Sequence, residues 1–241
     1  TLDITLNGEM LNNEIIDMPL DPATGEPKVL DIAGRFGRAE GHSLFDFYTR
    51  EWAGVDPADG VGMWIQNYYD ENGNGMLDAG EGITSLYEYQ HENPDHEISA
   101  TTTKAYSSAT TKYVGKSSIP KVRGAFRINA MVKRFSLSAQ FLYSLGGYSY
   151  DFVYAQLMDN DQVGGNNWST DIYDRWQKPG DITNVPRLSS GYDTNVSSSS
   201  TRFITKADYL SLNNVRLGYD FSNLVKQWGI TGLTLFVSGD N

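Results

Sequence analysis

Two segments that follow one another with barely a turn between them constrain this chain most. In the first, Phe126, Ile128, Ala130 and Val132 fall on one side, with Arg127, Asn129, Met131 and Lys133 opposite. In the second, Phe135, Leu137, Ala139, Phe141, Tyr143 and Leu145 share a face, against Ser136, Ser138, Gln140, Leu142 and Ser144. Apolar residues at every second position mark strands with one face out of water. The polar Lys133-Arg134 step leaves room only for a tight hairpin. Each strand reaches the roughly 9–11 residues that a tilted strand needs to cross a bilayer.

Alternation of this kind admits a transmembrane barrel, with lipid outside and a wet lumen, or a soluble sandwich with one solvated face. Tyr, Phe and Trp make up 12% of the 241 residues and Gly contributes 24, a mixture suited to many strands and tight turns. No run approaches the roughly 18 apolar residues of a membrane helix. The expected fold is all-β and antiparallel; alternation alone leaves both a sandwich and a transmembrane β-barrel segment with long extracellular loops open.

Further strands are expected where Tyr209, Ser211, Asn213, Val215, Leu217 and Tyr219 line one face, with aromatics at both ends, and at Leu233, Leu235 and Val237. Weaker candidates are Leu2–Leu6, Glu14–Met18, Ser43–Trp52 and Met63–Tyr69, giving roughly eight strands in all. Between them lie polar stretches, Gly82–Ser118, Asp159–Thr170 and Ser189–Thr201, the last with four consecutive serines that read as flexible. Loops this long are unusual in a compact domain and usual outside a large barrel. Thr1 begins in strand-like sequence with no signal peptide, and Asn241 falls in mid-strand, so both ends read as cut.

With 19 basic and 30 acidic residues the net charge is −11, which argues against a nucleic-acid partner. Cysteine is absent, so disulfides and thiolate metal sites are excluded. No serine sits in a G-x-S-x-G turn, and no recognisable catalytic constellation is present. The expectation is that the chain is not an enzyme.

Asp70–Glu81 (DENGNGMLDAGE) matches the calcium-loop template. Asp70, Asn72, Asn74, the Met76 carbonyl, Asp78 and Glu81 occupy ligand positions, and Gly75 takes the tight turn. Such spacing makes hard oxygen donors converge on one point. Aromatic, β-prone flanks do not suit an EF-hand, so a structural Ca2+ holding an outer loop is expected; a polar hairpin end is the plain alternative. Arg35, Arg38, Arg50, Trp52, Trp64 and Trp168 can stack on a sugar or clamp a carboxylate, but belts and loop packing explain such residues more simply. His91 and His96, in HENPDH, are weak metal candidates.

Motifs spread along the chain resemble those of one family. They are Leu11–Ile15, Gly41 with Phe45–Tyr48, Gly54-Val55-Asp56-Pro57, Tyr69-Asp70, Gly115–Pro120 and Leu145-Gly146-Gly147. Arg175-Trp176, Pro179-Gly180-Asp181, Val185-Pro186-Arg187 and the strand Tyr209–Tyr219 follow in order. Together they resemble the C-terminal barrel portion of the SusC/RagA-type TonB-dependent outer-membrane transporters of Bacteroidetes.

The resemblance implies part of a barrel of about 22 strands, spanning residues 1–241 without the plug domain. It also implies uptake of oligosaccharides or peptides, a SusD-like surface lipoprotein as lid, and coupling to TonB-ExbB-ExbD through the absent plug. It places the RW/PGD/VPR region in an extracellular loop, where Pro179, Gly180 and Pro186 would fix the backbone. The competing expectation is a secreted, calcium-stabilised β-sandwich that binds glycans or mediates adhesion. That fold would put Phe126/Ile128 and Phe135/Leu137 into a shared core.

Overall fold

The computed structural model describes residues 1–160, 164–165, 167–191, 193 and 195–241. In chain order the strands are β1 (Leu2–Met10), β2 (Asp31–Ala33), β3 (Phe36–Arg38), β4 (Asp46–Arg50), β5 (Trp52–Val55), β6 (Gly62–Tyr69), β7 (Gly82–Ile83) and β8 (Ile98–Thr103). They continue with β9 (Thr111–Ser117), β10 (Val122–Val132), β11 (Phe135–Leu145), β12 (Tyr148–Tyr150), β13 (Ile204–Lys206), β14 (Tyr209–Asp220) and β15 (Thr234–Asp240). Short helices are α1 (Leu86–Glu92), α2 (Phe152–Leu157) and α3 (Ser222–Val225). The chain divides into two compact units: Thr1–Asn12, Ile119–Tyr148 and Lys206–Asn241 in one, Asn13–Ser118 and Ser149–Thr205 in the other.

The first unit is a five-stranded antiparallel sheet in the order β1-β10-β11-β14-β15. The expected hairpin is present: Val132 pairs with Phe135, and Lys133 turns the chain in the left-handed region at φ 57°. Register then carries the alternation across all five strands. One row reads Ile4, Ile128, Ala139, Val215 and Gly239; the next reads Leu2, Ala130, Leu137, Leu217 and Val237. These apolar side chains are not gathered into a core: Leu6 is 71% exposed and Val237 78%.

The opposite face is polar and internally bonded. Its rows are Asp3, Asn129, Ser138, Arg216 and Ser238, then Thr5, Arg127, Gln140, Asn214 and Asp240. Ser138 donates to Asn129 at 2.8 Å, Arg127 to Gln140 at 2.7 Å and Asn214 to Asp240 at 2.5 Å. Arg123 pairs with Glu9, and the Arg216 guanidinium lies 3.6 Å from the Phe236 ring centroid.

Strand β14 corrects the simple alternation expected for it. Gln140 pairs with Asn214 and Phe141 with Leu212, so Asn213 is an extra, bulged residue. Val215, Leu217 and Tyr219 lie on the apolar face, while Tyr209 and Ser211, on the far side of the bulge, lie on the polar one. The aromatic ends of the apolar face are therefore Tyr143 at one end and Phe135 against Tyr219, ring centroids 4.7 Å apart, at the other. Near the first end, Gly8 and Gly124 lie side by side, and the Tyr143 hydroxyl crosses them to donate to the Asn7 carbonyl at 3.0 Å.

The second unit is a set of short sheets, β2-β3-β4-β9 and β5-β6-β7 with β8 on β6, and carries its own cores. Ala155, Met158, Ile172 and Phe203 form one; Trp64, Ala109 and Val196 form the other, with Trp52 and Tyr106 edge-on to Trp64. Several expectations are corrected here. Glu14–Met18 forms no strand, and Gly82–Ser118 is no plain loop, since it contains β7, α1, β8 and β9. Fifteen strands occur among the described residues where roughly eight are expected; the excess is short pieces, some paired locally, as β2 with β3, and some with distant chain, as β12 with β13. Asp161–Val163, Asn166, Tyr192 and Thr194, parts of two expected loops, lie outside the described residues.

The serine run is built into the unit. Ser200 is fully buried and accepts a hydrogen bond from the Arg202 N–H, and the Ser199 carbonyl accepts from Thr49 and Tyr106 at 3.1 and 2.9 Å.

The RW/PGD/VPR motifs clamp the Gly54–Gly62 turn. Trp176 Nε1 and the Gly180 N–H both donate to the Pro57 carbonyl, at 3.0 and 2.8 Å, and the Arg187 N–H donates to Gly60 O at 3.0 Å. Asp181 accepts from the Gln177 and Lys178 N–H groups, and Arg187 grips Asp193 through two hydrogen bonds. These contacts give the motif a packing role.

Two glycines test these arrangements. A Cβ at Gly124 would stand 2.3 Å from the Asn7 carbonyl oxygen and 2.7 Å from the Tyr143 hydroxyl. Gly124→Val should therefore cost about 1–3 kcal/mol and lower the thermal unfolding midpoint; because the conflict includes backbone, adding Tyr143→Phe should not restore it. Gly60 has φ 77°, and a Cβ there would meet the Trp176 ring at 2.4 Å. Gly60→Ala should reduce the folded yield, and Gly60→Ala with Trp176→Leu should recover only the steric part.

Candidate functional site

Strands β6 and β7 pair Asn67 with Ile83 and Tyr68 with Gly82, and so present Asp70–Glu81 as the end of a hairpin. No helices flank the loop, as its aromatic borders imply. Asp70 anchors the winding: Oδ1 accepts from the Asn74 N–H at 3.1 Å and Oδ2 from the Gly75 N–H at 2.7 Å. Asn72 Oδ1 accepts from Asn74 at 3.0 Å, and Asn74 Oδ1 from Met76 at 2.7 Å. Gly73 and Gly75, at φ 72° and 75°, allow the two left-handed steps.

The Glu81 carboxylate closes the loop by accepting from the Glu71 and Asp78 N–H groups at 3.2 and 2.8 Å. Asp78 Oδ2 accepts from the side-chain amides of Asn72 and Asn74 at 2.7 and 2.8 Å. The donors thus lie in one loop of the right chemistry, three carboxylates and two amides, but they are tied to one another. Among the described residues no group of three or more His, Asp or Glu side chains is arranged to hold a metal ion.

Arg38 forms a 3.8 Å ion pair with Asp31. Trp64 is buried, Trp52 Nε1 donates to Asn184 Oδ1 at 2.6 Å, and Trp168 Nε1 donates to the Asp159 carbonyl at 2.8 Å. These four residues serve packing. Arg35 and Arg50 differ. Their guanidinium carbons stand 3.9 Å from the Tyr150 ring centroid and 4.2 Å from that of Tyr106, and each borders a cavity.

Arg202 is a packed cation that periodicity and motif spacing give no reason to single out. It donates to the Val196 carbonyl at 2.8 Å and lies 4.9 Å from the ring centroids of Trp52 and Phe203. Burial lowers its pKa to about 10, a fall that the neighbouring Tyr154 and Tyr150 partly offset.

The histidines are held by rings. His42 stacks on Tyr113 at 3.6 Å and His96 on Tyr69 at 3.9 Å, with His96 Nδ1 2.9 Å from the Tyr89 hydroxyl. Burial also raises the Tyr113 phenol, with Tyr87 and Tyr48 adding to the shift. His91 is exposed in the last turn of α1. HENPDH therefore brings together an aromatic stack and not a ligand set.

No family model matches the sequence. The chain is 29% identical over 156 residues to TonB-dependent receptor P39 of Formosa agariphila, an alignment covering 64% of this chain and 14% of that receptor. Its whole length superposes on the RagAB peptide importer in the closed-closed state, with a TM-score of 0.70, 20% identity and 23% of that chain covered. The open-open state of the same importer gives a TM-score of 0.67 at 21% identity over 22% of its chain. This chain thus spans less than a quarter of the proteins it matches, and these are a receptor and an importer, not enzymes. Its fold is that of a segment of the RagAB importer, and its motifs resemble those of the SusC/RagA-type TonB-dependent transporters.

Proposed function

We propose that this chain forms part of the wall and outer loops of an outer-membrane transporter. The complete protein imports oligosaccharides or peptides with a SusD-like surface lipoprotein, driven by TonB-ExbB-ExbD through a plug. The observation that carries this reading is the two-faced sheet. Five strands in continuous register present aliphatic side chains outward, unburied, while Asp, Asn, Ser, Gln and Arg cross-link the other face.

In water that apolar face would be a severe liability; against hydrocarbon it is the favoured surface, and the polar face belongs in a hydrated lumen. A sandwich would bury Phe135 and Leu137, which are 56% and 40% exposed. The superposing structures are of the RagAB peptide importer, which supports peptide cargo and a two-component assembly. The alternative of oligosaccharide cargo stays within the same mechanism: ligand is enclosed, and contacts made only in the closed state bias the transition.

Substitutions on the two faces separate this reading from a soluble one. Ile128→Arg should destabilise the barrel by about 2–4 kcal/mol at mid-membrane depth, seen as less protein in the washed outer-membrane fraction. Asn129→Arg, one residue along and facing the lumen, should leave that fraction unchanged. Recovery of the wild-type protein in the soluble fraction without detergent would sink the proposal.

We further propose that the hairpin end binds a structural Ca2+ through Asp70, Asn72, Asn74, the Met76 carbonyl, Asp78 and Glu81. The Asp70 and Gly75 winding supports it; the amides on Asp78 would have to turn so that their oxygens face the ion. Calcium near about 1 mM, the range of extracellular modules, should raise the thermal midpoint of wild type and not of Glu81→Gln. A midpoint indifferent to millimolar calcium refutes the site.

A further inference from the structure

The two cavities bordered by Arg35 and Arg50 lie in the second unit and share Ser199. The larger, about 630 Å³, is lined by Arg35, Tyr150, Gln156 and Ser197–Ser199 among others. The smaller, about 210 Å³, is lined by Arg50, Tyr106, Thr49, Ser85 and Ser199 among others. Three polar atoms there are buried without a hydrogen-bond partner: Arg35 Nε, Arg50 Nε and Ser199 Oγ. Among the described residues no ion pair joins a carboxylate to either arginine, although acidic residues outnumber basic ones by 30 to 19 in the chain. Asp159 borders the larger cavity and Glu88 the smaller.

Each guanidinium carbon stands over a tyrosine ring, at 3.9 Å for Arg35 and 4.2 Å for Arg50, which holds the cation beside its cavity, and Arg35 also hydrogen-bonds the Tyr150 side chain. The planar N–H fork of a guanidinium suits the two oxygens of a carboxylate. A buried donor with no acceptor is unfavourable, and a ligand oxygen relieves it. An amide or hydroxyl ligand would meet the same donors with weaker, uncharged bonds.

We propose that these adjoining cavities form a recognition site for a carboxylate carried by the cargo, with Arg35 and Arg50 as its donors and Ser199 Oγ between them. The proposal rests on the transporter reading and narrows its substrate class to acidic cargo. The carboxylate can come from an acidic peptide or from a uronic acid in an oligosaccharide.

Calorimetric titration of the full-length protein in detergent distinguishes the sources, with a glutamate-containing hexapeptide against its glutamine counterpart and trigalacturonate against its methyl ester. In one of the two pairs the carboxylate form should bind at least about tenfold tighter than its neutral twin, and the margin should shrink as salt is raised. The Arg35→Gln/Arg50→Gln double variant should lose that margin while keeping its affinity for the neutral twin. Arg50→Lys, which keeps the charge but not the fork, should lose part of it.

Should the double variant misfold, the comparison within each pair on the wild-type protein stands alone. Equal binding within both pairs, or no binding of any probe, overturns the site and leaves the transporter reading in place. That reading fails separately, on membrane fractionation.

Discussion

Cross-strand register in the five-stranded sheet is the constraint on which the structure depends. Side chains alternate with a period of two, so a slip of one residue in any pair would carry an apolar row onto the polar face. The rows through Ile4–Gly239 and Asp3–Ser238 stay in step over five strands because the hairpin at Lys133 fixes one junction and polar pairs fix others. Arg127 with Gln140, Ser138 with Asn129 and Asn214 with Asp240 each tie neighbouring strands at matched positions. The polarity of one face and the hydrophobicity of the other are thus one property seen from two sides.

The second unit is held by a different means. Its strands are short, and its order comes from buried rings, arginines laid on aromatic faces, and backbone carbonyls that collect two donors each. Pro57 O takes both Trp176 and Gly180, and Ser199 O takes both Thr49 and Tyr106. Such carbonyl hubs fix loops in which regular ladders are too short to do so.

Sequence reasoning reached the sheet because its signal is local. Phe126–Leu145 carries both strands and their turn in one stretch, and the motif order from Gly54 to Tyr219 resembles a known barrel family that the superposition then matches in fold. The bulge at Asn213 was invisible: an extra residue leaves no mark in an alternating string until the partner strand is known. The β6–β8 ladder and the burial of Ser200 were equally hidden, since Thr- and Ser-rich stretches read as loop until distant chain covers them. The template match at Asp70–Glu81 specified the winding of the loop, because Asn-Gly steps dictate it, while the orientation of the Asn72 and Asn74 amides depends on what sits at the centre. Arg35 and Arg50 were noticed as residue types, but their stacking on Tyr150 and Tyr106 needs contacts across more than fifty residues of chain.

The side-by-side glycines of β1 and β10 have a mechanical consequence. Where two adjacent strands both lack a Cβ, the ribbon offers little resistance to folding about that line, and the phenol of Tyr143 covers the paired glycines. A wall assembled from such strands gains its curvature at chosen places instead of evenly.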